Sequence, residues 1–277
     1  MSWGAWGKQL SKKEMAALMH HYISNTITTF DHADIYGAYT TEAHFGEAFK
    51  DAGIKRESVQ LISKCGIQYV CDHRNNKVKH YNYSKDYIIW SVEASLKNLN
   101  IDYLDLLLLH RPSPLMQAEE IAEAVTILKK DGKIKDFGVS NFTASQMEMI
   151  GLRVDIDVNQ IAFSLTQHTA MHDGTLDYLK TNGITPMAWS PLGNIFKEDT
   201  EQTRRIHKQL GLLIDKYNAT EDQLLLAWIL MHPSGIKPVI GTTNRDRITQ
   251  AINATKIKLD LEDWFLILVA SQGYKVP

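Results

Sequence analysis

Residues Leu104–His110 read LDLLLLH, an almost unbroken apolar run that ends in a polar side chain. A strand of this kind is apolar on both faces, which is typical of a parallel sheet covered by helices. Other runs of strand length occur along the whole chain. They are Thr26–Asp31, Val59–Lys64, Asp136–Ser140, Asp155–Ile161, Ile184–Ser190 and Lys237–Thr243. We therefore expect a parallel sheet built from strands spread over the entire sequence.

Helical patterns separate these strands. Ser11–Glu14, Thr143–Gln146 and Thr220–Gln223 have the residue types and spacing of a capping box at a helix start. Ser84 is the expected cap of a helix that runs to Asn98, because apolar residues recur there at intervals of three and four. Parallel neighbours need a crossover connection, so strands alternating with helices predict an α/β fold with a parallel sheet.

The spacing of the strands favours one domain. Most gaps fit a single βα unit, and the long last gap contains two helical stretches, roughly Gln202–Tyr217 and Thr220–His232. No linker rich in Pro, Gly or Ser interrupts the series. The chain has 277 residues, and α/β barrels of ~250 residues commonly form one domain. The sequence thus predicts a single (β/α)8 TIM barrel over residues 1–277.

The first residues supply little chain for the eighth strand that such a barrel needs. The only stretch left for it is MSWGAW, residues 1–6. We therefore expect the first strand to be truncated, with lower stability as a consequence, because an incomplete strand leaves neighbouring backbone groups unpaired.

Composition excludes several classes of protein. Apolar residues make up 44% and charged residues 22%, and the net charge is −2, which argues against a nucleic-acid partner. The apolar runs are shorter than the ~18 residues of a membrane span, and the start lacks the pattern of a signal peptide. The two cysteines, Cys65 and Cys71, are expected to be reduced thiols of a cytoplasmic protein. A monomer is slightly favoured.

Polar side chains end three consecutive strands. Asp31, Lys64 and His110 lie at the strand ends, and Tyr36 follows Asp31 on the next loop. In a barrel, polar residues at this end are candidates for catalysis, although each one alone is more often a salt-bridged or capping residue. Adjacent strands lie ~4.8 Å apart, so the four side chains can converge. A carboxylate, an ammonium, a phenol and an imidazole together suit proton transfer to an oxygen.

Six motifs occur in an order that resembles the aldo-keto reductases and, within them, the bacterial YdhF-type oxidoreductases. They are FDHADIYG, LISKCG, DLLLLHRP, GKIKDFGVSNF, VNQI and AWSPLG. The resemblance covers essentially the whole chain and implies a catalytic tetrad of Asp31, Tyr36, Lys64 and His110. Tyr36 would give a proton in carbonyl reduction, Lys64 would make Tyr36 a stronger acid, and Asp31 would pair with Lys64. His110 would orient the substrate oxygen.

No side chain of the tetrad can supply a hydride, so a cofactor must supply it. The resemblance implies that this cofactor is a nicotinamide dinucleotide. The Gly-x-Gly-x-x-Gly motif of doubly wound dinucleotide folds is missing. The resemblance implies that the nicotinamide amide binds Ser140, Asn141 and Gln160, that Trp189 stacks on its ring, and that residues 190–193 bind the pyrophosphate. Those four residues are Ser190, Pro191, Leu192 and Gly193.

Gly241 and Thr243 end the last expected strand just before a helix that starts near Asn244, and free N–H groups at a helix start favour phosphate. Arg247 could bind the 2′-phosphate of NADP, so NADP(H) is preferred and NAD(H) stays open. Two structural alternatives remain: Trp189 could be a core residue, and Arg247 could be solvated.

The sequence leaves the substrate and one alternative function open. Trp6, Tyr39 and Arg111 are expected walls of the substrate pocket, and the basic and aromatic loop Gly66–Lys85 could shape it. No histidine shows the spacing of metal ligands, so no metal is expected. The sequence predicts the NADPH-dependent reduction of a small aldehyde or ketone. A nicotinamide-binding regulatory or redox-sensing subunit with little turnover is the alternative.

Overall fold

The computed structural model of the protein describes residues 3–276. Within that range, seven strands form one sheet in the order β1 (Thr29–Asp31), β2 (Gln60–Cys65), β5 (Leu104–Leu109), β6 (Ile134–Ser140), β7 (Val158–Ala162), β8 (Thr185–Trp189) and β9 (Lys237–Val239). Two short strands, β3 (Ile67–Gln68) and β4 (His80–Tyr81), form a separate antiparallel pair. The chain divides into two compact units, residues 1–159 and 160–277. Because the boundary falls inside strand β7, it does not coincide with a linker. That residues 1–277 form a single barrel domain stays a prediction.

The N-terminal unit alternates strands and helices as expected. Its helices are α1 (Lys12–Ser24), α2 (Thr41–Asp51), α3 (Lys85–Leu99), α4 (Ala118–Lys130) and α5 (Ala144–Gly151). Its strands are β1 (Thr29–Asp31), β2 (Gln60–Cys65), β3 (Ile67–Gln68), β4 (His80–Tyr81), β5 (Leu104–Leu109) and β6 (Ile134–Ser140). Strand β7 (Val158–Ala162) begins in this unit.

The strands of the N-terminal unit that belong to the seven-stranded sheet pair in parallel. Thr29 lies opposite Gln60 in the β1–β2 pair, and Ile62 lies opposite Leu106 in the β2–β5 pair. The apolar run of β5 is buried, with Leu107, Leu108 and Leu109 at most 1% exposed. This burial confirms the interpretation of LDLLLLH as a strand covered on both faces, and the parallel pairing confirms the expected sheet type.

The C-terminal unit completes the series of strands and helices. Its strands after β7 are β8 (Thr185–Trp189) and β9 (Lys237–Val239). Its helices are α6 (Thr175–Thr181), α7 (Glu201–Gly211), α8 (Ile214–Tyr217), α9 (Glu221–Leu230), α10 (Arg245–Ala254) and α11 (Leu261–Gln272). Strands β8 and β9 pair in parallel. Trp228 and Trp264 stack 5.0 Å apart and join α9 to α11.

The predicted helix starts are confirmed. Ser11 and Thr143 accept hydrogen bonds from the backbone N–H three residues on, and the Glu14 and Gln146 side chains bind back to the cap. Thr220 has the same reciprocal capping box, and Ser84 caps α3. These residues stabilise the helix starts because each accepts hydrogen bonds from backbone N–H groups that have no partner inside the helix.

Three expectations need correction. Residues 3–8 form turns, so the described part of the predicted first strand is not a strand, while residues 1 and 2 lie outside the described range. Strand β9 ends at Val239, two residues before Gly241. The loop expected over Gly66–Lys85 contains the short hairpin β3–β4, whose strands are too short to leave a periodic pattern in the sequence. No helix within residues 3–276 is long and apolar enough to cross a membrane.

Candidate active site

Lys64 lies at the centre of the candidate site. Its side chain is 1% exposed. The Nζ atom donates to both carboxylate oxygens of Asp31 at 2.7 Å, to the carbonyl oxygen of His32 at 2.8 Å, and to the Tyr36 hydroxyl at 3.4 Å. These contacts come from the last residue of β1 and from the segment that follows it. The buried ammonium therefore joins the carboxylate directly to the phenol that sequence reasoning singled out.

Lys64 keeps its charge despite its burial. Burial alone lowers the pKa of this ammonium, but the Asp31 carboxylate and the Tyr36 hydroxyl raise the pKa, and the net pKa lies above its ordinary value. A buried ammonium is costly unless it is paired and hydrogen-bonded. Here the carboxylate supplies the pairing, and the His32 carbonyl takes a further N–H.

The backbone after β1 brings Tyr36 to Lys64. The N–H of His32 donates to Ile62 O at 2.8 Å, and the N–H of Asp34 donates to Lys64 O at 3.0 Å. The chain thus runs beside β2 for three more residues before it turns, and Tyr36 N closes that turn on Ala33 O at 3.1 Å. A separation of five residues from Asp31 is therefore enough to place the phenol over the ammonium.

His110 completes the group from the next strand of the sheet. The backbone N–H of His110 donates to Cys65 O at 3.0 Å. The His110 ring meets the Tyr36 ring edge to face, with the centroids 5.9 Å apart. Burial, followed by the charges of Lys64 and Arg111, holds the pKa of His110 well below its ordinary value. The imidazole is therefore neutral at neutral pH, and it offers one N–H as a hydrogen-bond donor.

Two buried carboxyl groups lie beside the four residues, and sequence reasoning missed them. Asp34 is 6% exposed, and burial, with the nearby Glu42, raises its pKa to about 8. Glu42 accepts a hydrogen bond from the Ser63 hydroxyl at 2.5 Å. Both carboxyl groups line a cavity of about 500 Å³ between α2, α3 and the residues His73 and Arg74. The motif HADIYG contains Asp34, so its place two residues before Tyr36 was a usable signal.

The expected substrate residues have different surroundings. Trp6 is 51% exposed, and its ring meets the Tyr69 ring at 5.2 Å. The Tyr39 hydroxyl accepts from Tyr69 N at 2.9 Å and donates to Ile67 O at 3.2 Å. The backbone of Arg111 is held by another tyrosine hydroxyl, that of Tyr83. The hydroxyl of Tyr39 therefore binds backbone, and all three roles as pocket walls stay predictions.

Two of the expected cofactor residues belong to the N-terminal unit. Ser140 ends β6 and is 1% exposed, and Asn141 follows it with φ 60° in the left-handed region. The Asn141 side-chain amide donates to the Ser140 hydroxyl at 2.8 Å. A hydroxyl and an amide held together at a strand end have the chemistry that a carboxamide group needs.

The C-terminal unit contains the remaining cofactor candidates. Gln160 is buried in β7, and Trp189 is the half-buried last residue of β8. A tight turn follows, closed by a hydrogen bond from Gly193 N to Ser190 O at 2.8 Å. Gly193 has φ 56°, and a Cβ there would collide with the Thr166 hydroxyl, so glycine is required at this position.

The expected phosphate-binding helix start is present, but its strand is shorter than predicted. Gly241 and Thr243 lie in irregular chain after β9 instead of ending it. Asn244 caps α10 by accepting a hydrogen bond from Arg247 N at 3.0 Å. Arg247 lies in the first turn with an exposed side chain.

The described residues give no support to a metal centre, because no group of three or more His, Cys, Asp or Glu side chains in residues 3–276 could hold an ion. What they bring together in the N-terminal unit is a carboxylate, an ammonium, a phenol and a neutral imidazole. Such a group can hold and deliver one proton at an oxygen.

Comparison with known proteins identifies the family. The model of the aldo/keto reductase family matches residues 1–268. Uncharacterized oxidoreductase YcsN of Bacillus subtilis (strain 168) is 45% identical, over 96% of this chain and 91% of that protein. Oxidoreductase YdhF of Escherichia coli (strain K12) is 40% identical, over 99% and 93%.

A named reductase and a solved structure agree with this match. A 6-dehydroglucose reductase of Agrobacterium fabrum is 38% identical, over 96% of this chain and 90% of that protein. The crystal structure of the thermostable aldo-keto reductase Tm1743 with the inhibitor epalrestat superimposes with a TM-score of 0.82, at 28% identity, over 97% and 93% of the two chains. The protein therefore has the TIM-barrel fold and belongs to the aldo/keto reductase family of NAD(P)H-dependent oxidoreductases.

Proposed function

We propose that the protein reduces an aldehyde or a ketone to an alcohol with NADPH, and that Tyr36 donates the proton to the carbonyl oxygen. The observation that supports this most directly is the position of Lys64 Nζ, 2.7 Å from the Asp31 carboxylate and 3.4 Å from the Tyr36 hydroxyl. A phenol is otherwise almost fully protonated and a weak acid at neutral pH. The Lys64 ammonium lies where it can stabilise the phenolate that proton transfer would leave.

The proton moves from the Tyr36 hydroxyl to the substrate oxygen as that oxygen gains negative charge. The phenolate that remains lies beside the Lys64 ammonium, which stabilises it, and Asp31 keeps the ammonium in place. The neutral His110 imidazole donates its N–H to the same substrate oxygen and fixes the position of the carbonyl. Its pKa lies well below its ordinary value, so His110 does not compete with Tyr36 as the acid.

The residues at the later strand ends have the donor set that a nicotinamide dinucleotide needs. When bound, this cofactor supplies the hydride. Ser140 and Asn141 present a hydroxyl and an amide, and Gly193 allows the backbone to approach a pyrophosphate closely. Arg247 is exposed in the first turn of α10, which favours the 2′-phosphate of NADP over NAD.

The substrate is a small carbonyl compound. Relatives from Agrobacterium fabrum and Novosphingobium aromaticivorans are named 6-dehydroglucose reductases, so sugar aldehydes belong in a test panel.

We place the enzyme in the cytoplasm because Cys65 and Cys71 are both free thiols. A monomer is the expected state, with neither nucleic acid nor membrane as a partner.

The decisive experiment measures NADPH oxidation by purified protein with 4-nitrobenzaldehyde and a panel of sugar aldehydes and ketones. The wild type should turn over, and Tyr36→Phe should lower kcat by roughly 10²- to 10⁴-fold, because the acid is lost while the ring remains. Tyr81→Phe removes a hydroxyl that lies outside the tetrad and is the matched control. NADPH should still quench tryptophan fluorescence of Tyr36→Phe.

Two outcomes would contradict the proposal. Undiminished turnover by Tyr36→Phe would show that another group gives the proton. Tight NADPH binding by the wild type without turnover of any carbonyl would indicate a nicotinamide-binding regulatory or redox-sensing subunit instead.

A further inference from the structure

The segment between Tyr36 and α2 has a costly backbone conformation. Gly37, Ala38 and Tyr39 have φ angles of 60°, 54° and 71°, all in the left-handed region. Glycine adopts this region freely, but alanine and tyrosine do so at a cost, and such residues persist only where the surroundings hold them. Something outside the segment must therefore fix Tyr39, three residues after the proposed proton donor.

The hairpin loop, defined as residues 66–83, holds Tyr39. The Tyr39 hydroxyl accepts from Tyr69 N at 2.9 Å and donates to Ile67 O at 3.2 Å. The Arg74 guanidinium lies 4.3 Å from the centroid of the Tyr39 ring and 4.5 Å from that of Trp90 on α3. One hydroxyl and one cation on an aromatic face thus tie the strained segment to the loop.

The same loop also holds the residue next to His110. The Tyr83 hydroxyl donates to Arg111 O at 2.5 Å and accepts from Arg111 N at 3.1 Å. The Tyr83 side chain is 5% exposed and lies against Gly66, where a Cβ would collide with its ring. The hairpin loop is therefore held at two anchors. One is the pair of hydrogen bonds made by the Tyr39 hydroxyl, near Tyr36, and the other is the pair made by the Tyr83 hydroxyl with Arg111, next to His110.

Both anchors are matched in chemistry. Each is a tyrosine hydroxyl that takes one backbone N–H and gives its proton to one backbone carbonyl. Burial raises the pKa of both phenols above the ordinary value, so each hydroxyl keeps the proton that it donates. Replacement of either tyrosine by phenylalanine would remove these partners from partly buried backbone groups.

We propose that Tyr39 and Tyr83 are positioning residues: through the hairpin loop they set the distance and angle between the Tyr36 phenol and the His110 imidazole. The two rings have centroids 5.9 Å apart and an interplanar angle of 80°. Proton donor and oxygen-orienting donor must be aligned within a fraction of an ångström, so loss of either anchor lowers the rate. This inference rests on the proposed function of Tyr36 and His110.

The test compares Tyr39→Phe, Tyr83→Phe and the double variant with the control Tyr81→Phe. Tyr81 lies in β4 of the same hairpin, and its hydroxyl takes part in neither anchor. We expect each single change to lower kcat for 4-nitrobenzaldehyde about tenfold, with KM for NADPH unchanged. The double variant should lose about as much kcat as the more damaged single variant, because loss of either anchor already frees the hairpin loop that connects the two rings.

A second readout does not depend on turnover. The ring protons of His110, assigned by their loss in His110→Asn, feel the ring current of Tyr36 and should shift in both single variants but not in Tyr81→Phe. Arg74→Ala, which removes the cation without touching a hydroxyl, should shift them in the same direction.

Unchanged His110 resonances and unchanged kcat in both single variants, or strictly additive losses in the double variant, would overturn the positioning role. Failure of the proposed function is recognised separately, because Tyr36→Phe would then keep its turnover while the His110 resonances still report on the anchors.

Discussion

The chemistry of Lys64 depends on its partners more than on its residue type. An exposed lysine at a strand end is a solvated cation, whereas Lys64 is buried and fully engaged by Asp31, the His32 carbonyl and the Tyr36 hydroxyl. Burial opposes the charge and the carboxylate restores it. The outcome is a cation of fixed position, which is what a proton-donating phenol beside it requires.

The raised pKa of a second buried group, Asp34, predicts how the stability of the protein depends on pH. Its folded pKa of about 8 lies above the ordinary value of 3.8, because of burial and the nearby Glu42. Between these values the folded state binds more protons than the unfolded state, so this carboxyl makes the free energy of unfolding fall as pH rises. Asp34→Asn should remove that contribution.

The measurement is urea unfolding of wild type and Asp34→Asn at several pH values. As the pH rises from about 5 to 8, the free energy of unfolding of Asp34→Asn should increase relative to that of the wild type by roughly 1.4 kcal/mol per pH unit. Asp102→Asn, at an exposed position, is the control and should run parallel to the wild type. A difference that stays constant over this range would contradict the raised pKa.

At the scale of elements, short polar connections between strands and helices lie next to the candidate site residues and hold them in position. The turn from Ser190 to Gly193 after β8 is closed by one backbone hydrogen bond, and Gly193 lies against the Thr166 hydroxyl. The hairpin loop likewise owes its position to two tyrosine hydroxyls and one guanidinium. Strands and helices place the candidate catalytic side chains, and under the proposed roles of Tyr39 and Tyr83 the hairpin loop sets their final geometry.

Gly193→Ala tests the role of the turn. The variant combines a left-handed φ with a collision at Thr166, so we expect weaker NADPH binding and a loss of at least 1 kcal/mol of stability. Gly183→Ala is the matched control: Gly183 has φ 68° but an added Cβ meets no atom within 4 Å. Fluorescence titration and thermal melting measure both effects. Equal NADPH affinity in the two variants would remove the turn from the cofactor site.

At the scale of the whole molecule, the family match extends over residues 1–268, and the relatives align over at least nine-tenths of this chain. The fold is therefore shared along its full length, not through isolated motifs. The candidate cofactor residues are spread from Ser140 to Arg247 along the chain. A cofactor that binds only the folded chain should stabilise the protein as a whole.

Thermal melting with each dinucleotide tests this linkage and the choice of cofactor. At a concentration of 100 Kd, NADPH should add about 2.7 kcal/mol to the free energy of unfolding, and NADH at the same concentration should add less. Arg247→Ala should reduce the difference between the two. Arg204→Ala, an exposed arginine of α7, is the control. Equal stabilisation of the wild type by both dinucleotides would contradict a preference for NADPH.

The sequence by itself determined the order of the seven strands of the main sheet and the starts of several helices. Burial on both faces leaves runs such as Leu104–Leu109, and capping leaves pairs such as Thr143 and Gln146. It also determined the four residues of the candidate tetrad, since the carboxyl ends of successive parallel strands share one edge of a sheet.

The tertiary structure alone decided the anchors of Tyr39 and Tyr83, the early end of β9 and the raised pKa of Asp34. Hydroxyl partners and burial depend on which distant segments fold back onto a residue. No local pattern in the chain records that.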